Sequence, residues 1–228
     1  MRLRKLLGIA LILLICPAFV GAKSKTYNEA TIDKLDGTIM VQKADGSKPF
    51  ALQTGSILEK GDVLTVYDKS WVIFKTHKGD RIGLDSNTTL AIDEYFIEGP
   101  DRQLRLILQK GSMFLRTNGC GSRQSFFEIN SGSLVTAIND CQATLSYDPA
   151  KDHFKVQYLF GKLSVVDKES EKKFTQMHTE RNWEGGKVLE TEDNANPVDD
   201  LDVVNFNRFY NGDPRLAAAN NNILLPEK

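Results

Sequence analysis

From Thr54 to Asp93 the apolar positions come in short runs separated by glycine turns. Val63, Leu64 and Val66 follow Gly61-Asp62, Trp71-Val72-Ile73-Phe74 is apolar on both faces, and Ile82/Leu84 and Leu90/Ile92 alternate with polar neighbours. A period of two marks strands with one buried face, because successive side chains of a strand point to opposite sides. The same grammar extends in both directions. Thr38 to Val41 follows Gly37, and Asp45-Gly46 is a tight-turn signal before Phe50-Ala51-Leu52. Leu104, Leu106 and Leu108 alternate, and Lys110-Gly111-Ser112 reads as a reversal into Met113-Phe114-Leu115. Phe126 to Ile129, Leu134 to Ile138, and Val156, Tyr158 and Phe160 before Gly161 continue the series. The pattern predicts an all-β body, an irregular β-solenoid or a twisted β-sandwich. The turn glycines at 37, 55, 61, 79, 111, 132 and 161 follow no fixed period, so a regular repeat is excluded.

Beyond Glu190 the pattern changes. Glu190, Glu192, Asp193, Asp199, Asp200 and Asp202 occur with no basic residue between them, which reads as a solvated linker up to Pro197. Proline followed by acids suits a helix start, since carboxylates offset the positive end of the helix dipole. Leu201, Val204, Arg208 and Phe209 fall near helical spacing and Asn211-Gly212 is a stop. A short C-terminal helix is therefore expected, either packed on the sheet or docking another protein. The expected organisation is a leader at 1–22, a β domain at 23–190, and the linker, helix and tail at 191–228.

Composition adds a compartment. The 228 residues are 41% hydrophobic and 26% charged, enough for one globular core. Arg2, Arg4 and Lys5 precede an apolar body from Leu6 to Val20, and Val20-Gly21-Ala22 offers a small-residue cleavage site, the pattern of a secretory signal peptide. Its apolar run is about 15 residues, short of the roughly 20 that cross a bilayer. Either cleavage or retention as an anchor is open, with cleavage expected and no stable membrane span after it. Ile15 before Cys16 argues against lipid attachment. Removal of residues 1–22 leaves 26 basic against 30 acidic residues, net −4, so nothing electrostatic points to nucleic acid.

The mature chain then keeps two cysteines, Cys120 and Cys141, an even pair suited to an oxidising compartment. A bridge between them closes a loop of about 20 residues and adds on the order of 3 kcal/mol in the chain-entropy account; two buried thiols are the other reading. No cofactor or metal is expected, since His77, His153 and His178 lie at no ligand spacing. A nucleophile elbow, a paired-histidine zinc helix and a Walker loop are absent from the sequence. Ser170-Glu171-Lys172-Lys173 fits a serine–lysine pattern only formally, within a charged turn. Asp62 beside Gly61 reads as a turn residue bonding its own backbone rather than as a general acid. Trp71 reads as core; Trp183, between Asn182 and Glu184, is the better candidate for ligand contact.

Several of these fragments together resemble the periplasmic FecR-type domain. They are Gly55, Leu58, Gly61-Asp62, Ser70-Trp71, Lys78-Gly79-Asp80, Leu84, Ser86-Asn87, Leu90 and Ile92, then Leu106 to Phe114 around Gly111, then Val156 to Val166 around Gly161. The likeness covers about residues 32–190. It departs at Ile138 to Leu145, where Asp140-Cys141 stands in place of the family's Gly-Thr. The resemblance implies a β-solenoid-like coil and a non-enzymatic role. In typical members this domain follows a cytoplasmic anti-sigma segment and a membrane span and relays a transporter's occupancy. The expectation here is a stand-alone exported member, periplasmic or extracellular, acting as a binding, scaffolding or signalling-associated module of the bacterial envelope. Its expected partner is another envelope protein. The rival reading is a cell-wall or carbohydrate-binding module that uses Trp183 on peptidoglycan or another glycan.

Overall fold

The structure is a computed structural model that describes residues 26–99, 101–118 and 125–169 and the segments 173–176, 181–185 and 195–197. The leader, Cys120 and the expected C-terminal helix lie outside the described residues. Within them the chain is all-β, as the alternation predicts, and every strand belongs to one hydrogen-bonded network. The strands are β1 (Thr26–Tyr27), β2 (Glu29–Asp36), β3 (Ile39–Gln42), β4 (Phe50–Ala51), β5 (Ile57–Glu59), β6 (Val63–Val66), β7 (Trp71–Lys75), β8 (Arg81–Leu84) and β9 (Thr89–Glu98). Four long or medium strands follow: β10 (Asp101–Arg116), β11 (Phe126–Ser131), β12 (Leu134–Asp148) and β13 (His153–Asp167). Three short ones complete the series: β14 (Lys173–Gln176), β15 (Arg181–Gly185) and β16 (Ala195–Pro197). Pairing thus reaches Pro197, where a linker was expected.

The network curls over so that two halves share one core. In the first half β9 joins β6 and β3 on one side and the front of β10 on the other, with β11, Leu134–Ala137 of β12 and Leu163–Asp167 of β13 beyond. In the second, the back of β10 lies between β8 and Gln142–Tyr147 of β12, flanked by β7, β2 and β5 on one edge and by β13, β15 and β16 on the other. All pairings are antiparallel except β10 with β11. Leu106, Leu108 and Ile129 of the first half and Phe74, Leu84, Met113 and Leu145 of the second belong to one apolar cluster.

Three strands pass from one half to the other, and each changes parity as it does so. On β10 the buried positions are Leu104, Leu106 and Leu108, then Met113 and Leu115; one extra residue has been inserted between them. That insertion contains Gly111, at φ 92°. A strand that crosses between packed sheets has to bend, and a bulge with a left-handed glycine is the ordinary way to do it. The expected reversal at Gly111 is therefore a corner inside a continuous strand. Gly161 is likewise not at a chain reversal but inside β13. On β12 the parity changes from Ile138 to Cys141, Ala143 and Leu145, with a register shift against β13 between Asn139 and Gln142.

Candidate functional site

The corners fall at two ends of the curled sheet, and Gly61-Asp62, Ser70, Gly79-Asp80 and Gly111 lie there. At one end, acids do the fastening. Gly61, at φ 88°, donates its N–H to the Ile92 carbonyl at 2.6 Å, while the Ile92 N–H donates to Asp62 O at 2.9 Å. Asp62 is fully buried, and its Oδ2 accepts from the Glu59 N–H at 2.8 Å and from Lys43 Nζ at 2.7 Å. Burial weighs against charging Lys43, but its bonds to Asp62 and Glu59 outweigh that and raise its pKa. The turn after β7 uses the same device. Gly79 N–H bonds to Thr76 O at 3.0 Å, and Asp80 Oδ2 accepts from Thr76 Oγ1 at 2.7 Å. The other oxygen of Asp80 accepts from Arg102 Nη1 and from the Asn118 N–H at 2.9 Å, while Arg102 Nη2 donates to Asn118 O at 2.8 Å. One buried carboxylate thus ties the β7–β8 turn, the start of β10 and its end.

Beside this pair Tyr95 Oη accepts from the His77 N–H at 3.3 Å, and the His77 ring stacks on Tyr27 with centroids 3.2 Å apart. Burial pushes the Tyr95 phenol up to about 12, with Asp80 adding to the effect. Asp33 holds Lys75 at 2.6 Å and Arg81 at 2.9 Å at this same end.

At the opposite end hydroxyls and close backbone approaches replace the ions. Ser70 Oγ accepts from the Thr38 N–H at 2.8 Å and donates to Asp68 O at 3.1 Å. Thr88 Oγ1 accepts from the Ser112 N–H at 3.0 Å and donates to Ser112 O at 3.1 Å, pinning the β8–β9 crossing to the Gly111 corner. Ser112 Oγ meets Ser146 Oγ at 2.8 Å. Above these lies a cleft of about 490 Å³ with Asn87, Lys110, Ser112, Tyr147, Asp148 and His153 in its wall. Tyr147 Oη donates to Asp152 Oδ1 at 3.3 Å, and burial with the nearby Asp152 and Asp148 charges raises its pKa, so the phenol stays a neutral donor. The cleft offers a cation, an amide, hydroxyls and a carboxylate set among a lining that is more apolar than polar, with Pro149 and Ala150 also in its wall.

Of the residues singled out in the sequence, the structure brings Gly61, Asp62 and Gly79 to the ionic end and Gly111 to the hydroxyl end. Cys141 is buried at the β12 corner, its N–H donating to Thr117 Oγ1 at 3.0 Å and its carbonyl accepting from the Thr117 N–H at 2.8 Å. Its expected partner Cys120 lies outside the described residues. Trp183 lies in β15, where its backbone pairs with Val156 of β13. Trp71 is buried as expected, but on the outward face of β7, in a second cluster with Ile73 and Phe114. Arg102, Asn118 and Thr88 escaped the sequence reading. The parity change along β10 was the signal for the Gly111 corner and hence for Thr88; nothing local marks Arg102, whose partner is 22 residues away.

Among the described residues no group of three or more His, Cys, Asp or Glu could hold a metal ion, and no helix is long and apolar enough to cross a membrane. The fold defines the class first: an all-β module with a curled sheet and ion-pinned corners. No family model and no curated protein matches the chain. Among solved structures it is similar to a crystal structure of a candidate anti-sigma factor from Parabacteroides distasonis ATCC 8503, with a TM-score of 0.50, 11% identity and 64% of each chain covered. A second crystal structure with the same description gives a TM-score of 0.48 at 11% identity, again over 64% of each chain. The chain thus spans just under two thirds of those proteins, and the first likeness is one of fold.

Proposed function

We propose that this chain is an exported FecR-type module that works by contact: a signalling-associated binding unit of the bacterial envelope whose partner is another envelope protein. One observation carries the reading. Of the fragments that resemble the FecR-type domain, Gly61-Asp62, Ser70, Gly79-Asp80 and Gly111 pin the corners, and Leu58, Leu84, Leu90, Ile92, Leu106 and Leu108 fill the core, of a sheet whose fold is similar to that of a candidate anti-sigma factor. Export rests on the leader pattern, and the contact role on the open cleft at the hydroxyl end.

The test is capture from intact envelopes by the tagged mature chain, set beside sedimentation with purified peptidoglycan. The expected result is one protein partner retained by the wild type and reduced by Lys110→Glu with His153→Ala, with the chain left in the supernatant of the peptidoglycan assay. Sedimentation with peptidoglycan, or capture indifferent to the cleft substitutions, would overturn this reading.

A further inference from the structure

The cleft at the hydroxyl end encloses about 490 Å³. One helical turn of peptide, 10–12 Å across and 5.4 Å in pitch, occupies roughly 400–600 Å³. Three or four residues therefore fill the cleft, and a long helix or a folded surface does not enter it. Its lining is more apolar than polar, with Pro149 and Ala150 exposed in the wall, so an occupant has to bring an apolar side chain. The polar groups decide its charge. Asp148 is already occupied: its Oδ1 accepts from the Ala150 N–H at 3.0 Å and its Oδ2 stands 3.6 Å from Lys151 Nζ. Lys110 is exposed and enters no ion pair among the described residues. Two residues on, Ser112 Oγ meets Ser146 Oγ at 2.8 Å. Two hydroxyls carry two hydrogens and that bond uses one, so one O–H is left to donate to a ligand. An ammonium and a hydroxyl donor in one wall make a seat for a carboxylate.

Two further observations converge on the same place. Asn87 Nδ2 is directed at Asp68 Oδ1, 3.5 Å away, which leaves the Asn87 amide oxygen to accept a peptide N–H. The backbone around the cleft is also held in uncommon conformations. Among the described residues three other than glycine have a left-handed φ, and all three lie at this end: Asn87 at 59° in the wall, Asp152 at 48° bonded to Tyr147, and Lys69 at 54° beside Asp68. Such conformations persist where the surrounding structure forces them, and they gather at ligand sites. We propose that the cleft receives a short acidic peptide segment of the envelope partner, three or four residues long. Its carboxylate lies on Lys110 and the spare serine hydroxyl, a neighbouring aliphatic side chain lies against Pro149 and Ala150, and a backbone N–H reaches Asn87 Oδ1. This assignment rests on the contact role given to the cleft above and adds the class of ligand to it.

Two blocked tetrapeptides test it, acetyl-Gly-Leu-Asp-Leu-amide and acetyl-Gly-Leu-Asn-Leu-amide, which match in size and differ by one charge. Each is titrated into the isotopically labelled full mature chain and followed through the backbone amide resonances. The aspartate peptide is expected to bind about tenfold tighter, the worth of one charge-assisted contact, with shifts centred on Asn87, Gly111, Ser112 and Ala150. In Lys110→Gln the preference for aspartate is expected to fall to near unity, with resonances away from the cleft unmoved because Lys110 is exposed and supports no neighbour. Equal binding of the two peptides, shifts centred elsewhere, a preference that survives Lys110→Gln, or no shift with either peptide at about 10 mM, near the weak limit of specific affinity, would overturn the assignment. Capture of an envelope protein through the cleft with neither peptide binding would sink the peptide assignment and leave the contact role standing. Peptide binding with no protein captured would do the reverse.

Discussion

The two ends of the curled sheet solve one problem with different chemistry. Each has to turn strands from one half to the other while leaving no backbone polar group stranded. At one end the fasteners are Asp62 with Lys43, Asp80 with Arg102, and Asp33 with Lys75 and Arg81. At the other they are Ser70, Thr88, Ser112 and Ser146, with Gly111 letting the backbones close up. Neutral hydroxyls and backbone contacts respond little to salt or pH; buried ion pairs respond strongly once either partner is lost. The open cleft sits at the neutral end. The walls of that cleft are thus braced by groups that do not titrate, while the ionic end depends on each charge keeping its partner.

The comparison breaks hardest at Arg102. It is 2% exposed and its partner Asp80 is fully buried, so Arg102→Ala leaves an uncompensated carboxylate and should cost roughly 3–5 kcal/mol in urea denaturation. Arg102→Met with Asp80→Asn should cost clearly less, because neither charge is left alone. Equal losses would mean that leaving Asp80 without its partner carries no penalty of its own; Met is chosen at 102 because it keeps apolar contact with Phe127, over whose ring Arg102 sits at 5.6 Å.

A second lever is at Cys141, whose backbone is paired with Thr117 three residues before Cys120. A Cys120–Cys141 bridge should make the reduced protein about 3 kcal/mol less stable than the oxidised one. Peptide mapping without reductant identifies the bridge, and a mass showing two free thiols in exported protein would remove it.

At the neutral end the corresponding break is Gly111→Ala. The position is at φ 92°, and an added Cβ would stand 2.6 Å from the Thr88 Cα. Left-handed strain plus the clash should cost roughly 2–3 kcal/mol. Because the collision is with backbone, Thr88→Gly should not rescue it, whereas rescue would show that only the threonine side chain was in the way.

The strands themselves were readable because alternation reports burial directly: Leu104, Leu106 and Leu108 on β10 are all buried. The turns at Gly61-Asp62 and Gly79-Asp80 were readable because a short loop leaves its own local chemistry. What misled was a glycine inside a strand. Gly111 and Gly161 look like hairpin glycines, yet the apolar positions before and after Gly111 lie on opposite parities, as expected of a bulge in a continuing strand and not of a reversal. The Asp80–Arg102 clamp and the Thr88–Ser112 bonds were hidden for another reason. Their partners are more than twenty residues apart, and only the pairing of β8, β9 and β10 brings them together.

The smallest neutral-pH effect, and the sharpest separation of the two ends, is expected at Tyr95. Burial pushes its phenol up to about 12 from the ordinary 10. A group with a raised folded pKa lends stability that is fully present below the unfolded value and is lost as pH climbs through the folded one. The contribution is therefore intact below about pH 10 and disappears between about 10 and 12. Tyr95→Phe gives up one hydrogen bond, from the His77 N–H, so it should cost about 1 kcal/mol at pH 7. From pH 10 to 12 the variant should lose less stability than the wild type, because nothing at position 95 remains to ionise. Amide exchange followed over the same range should show the ionic end, around Thr76 to Asp80, loosening before the Thr88–Ser112 corner. Simultaneous opening of both ends would mean that the curled sheet yields as one unit and that the division of labour between its corners is not energetic.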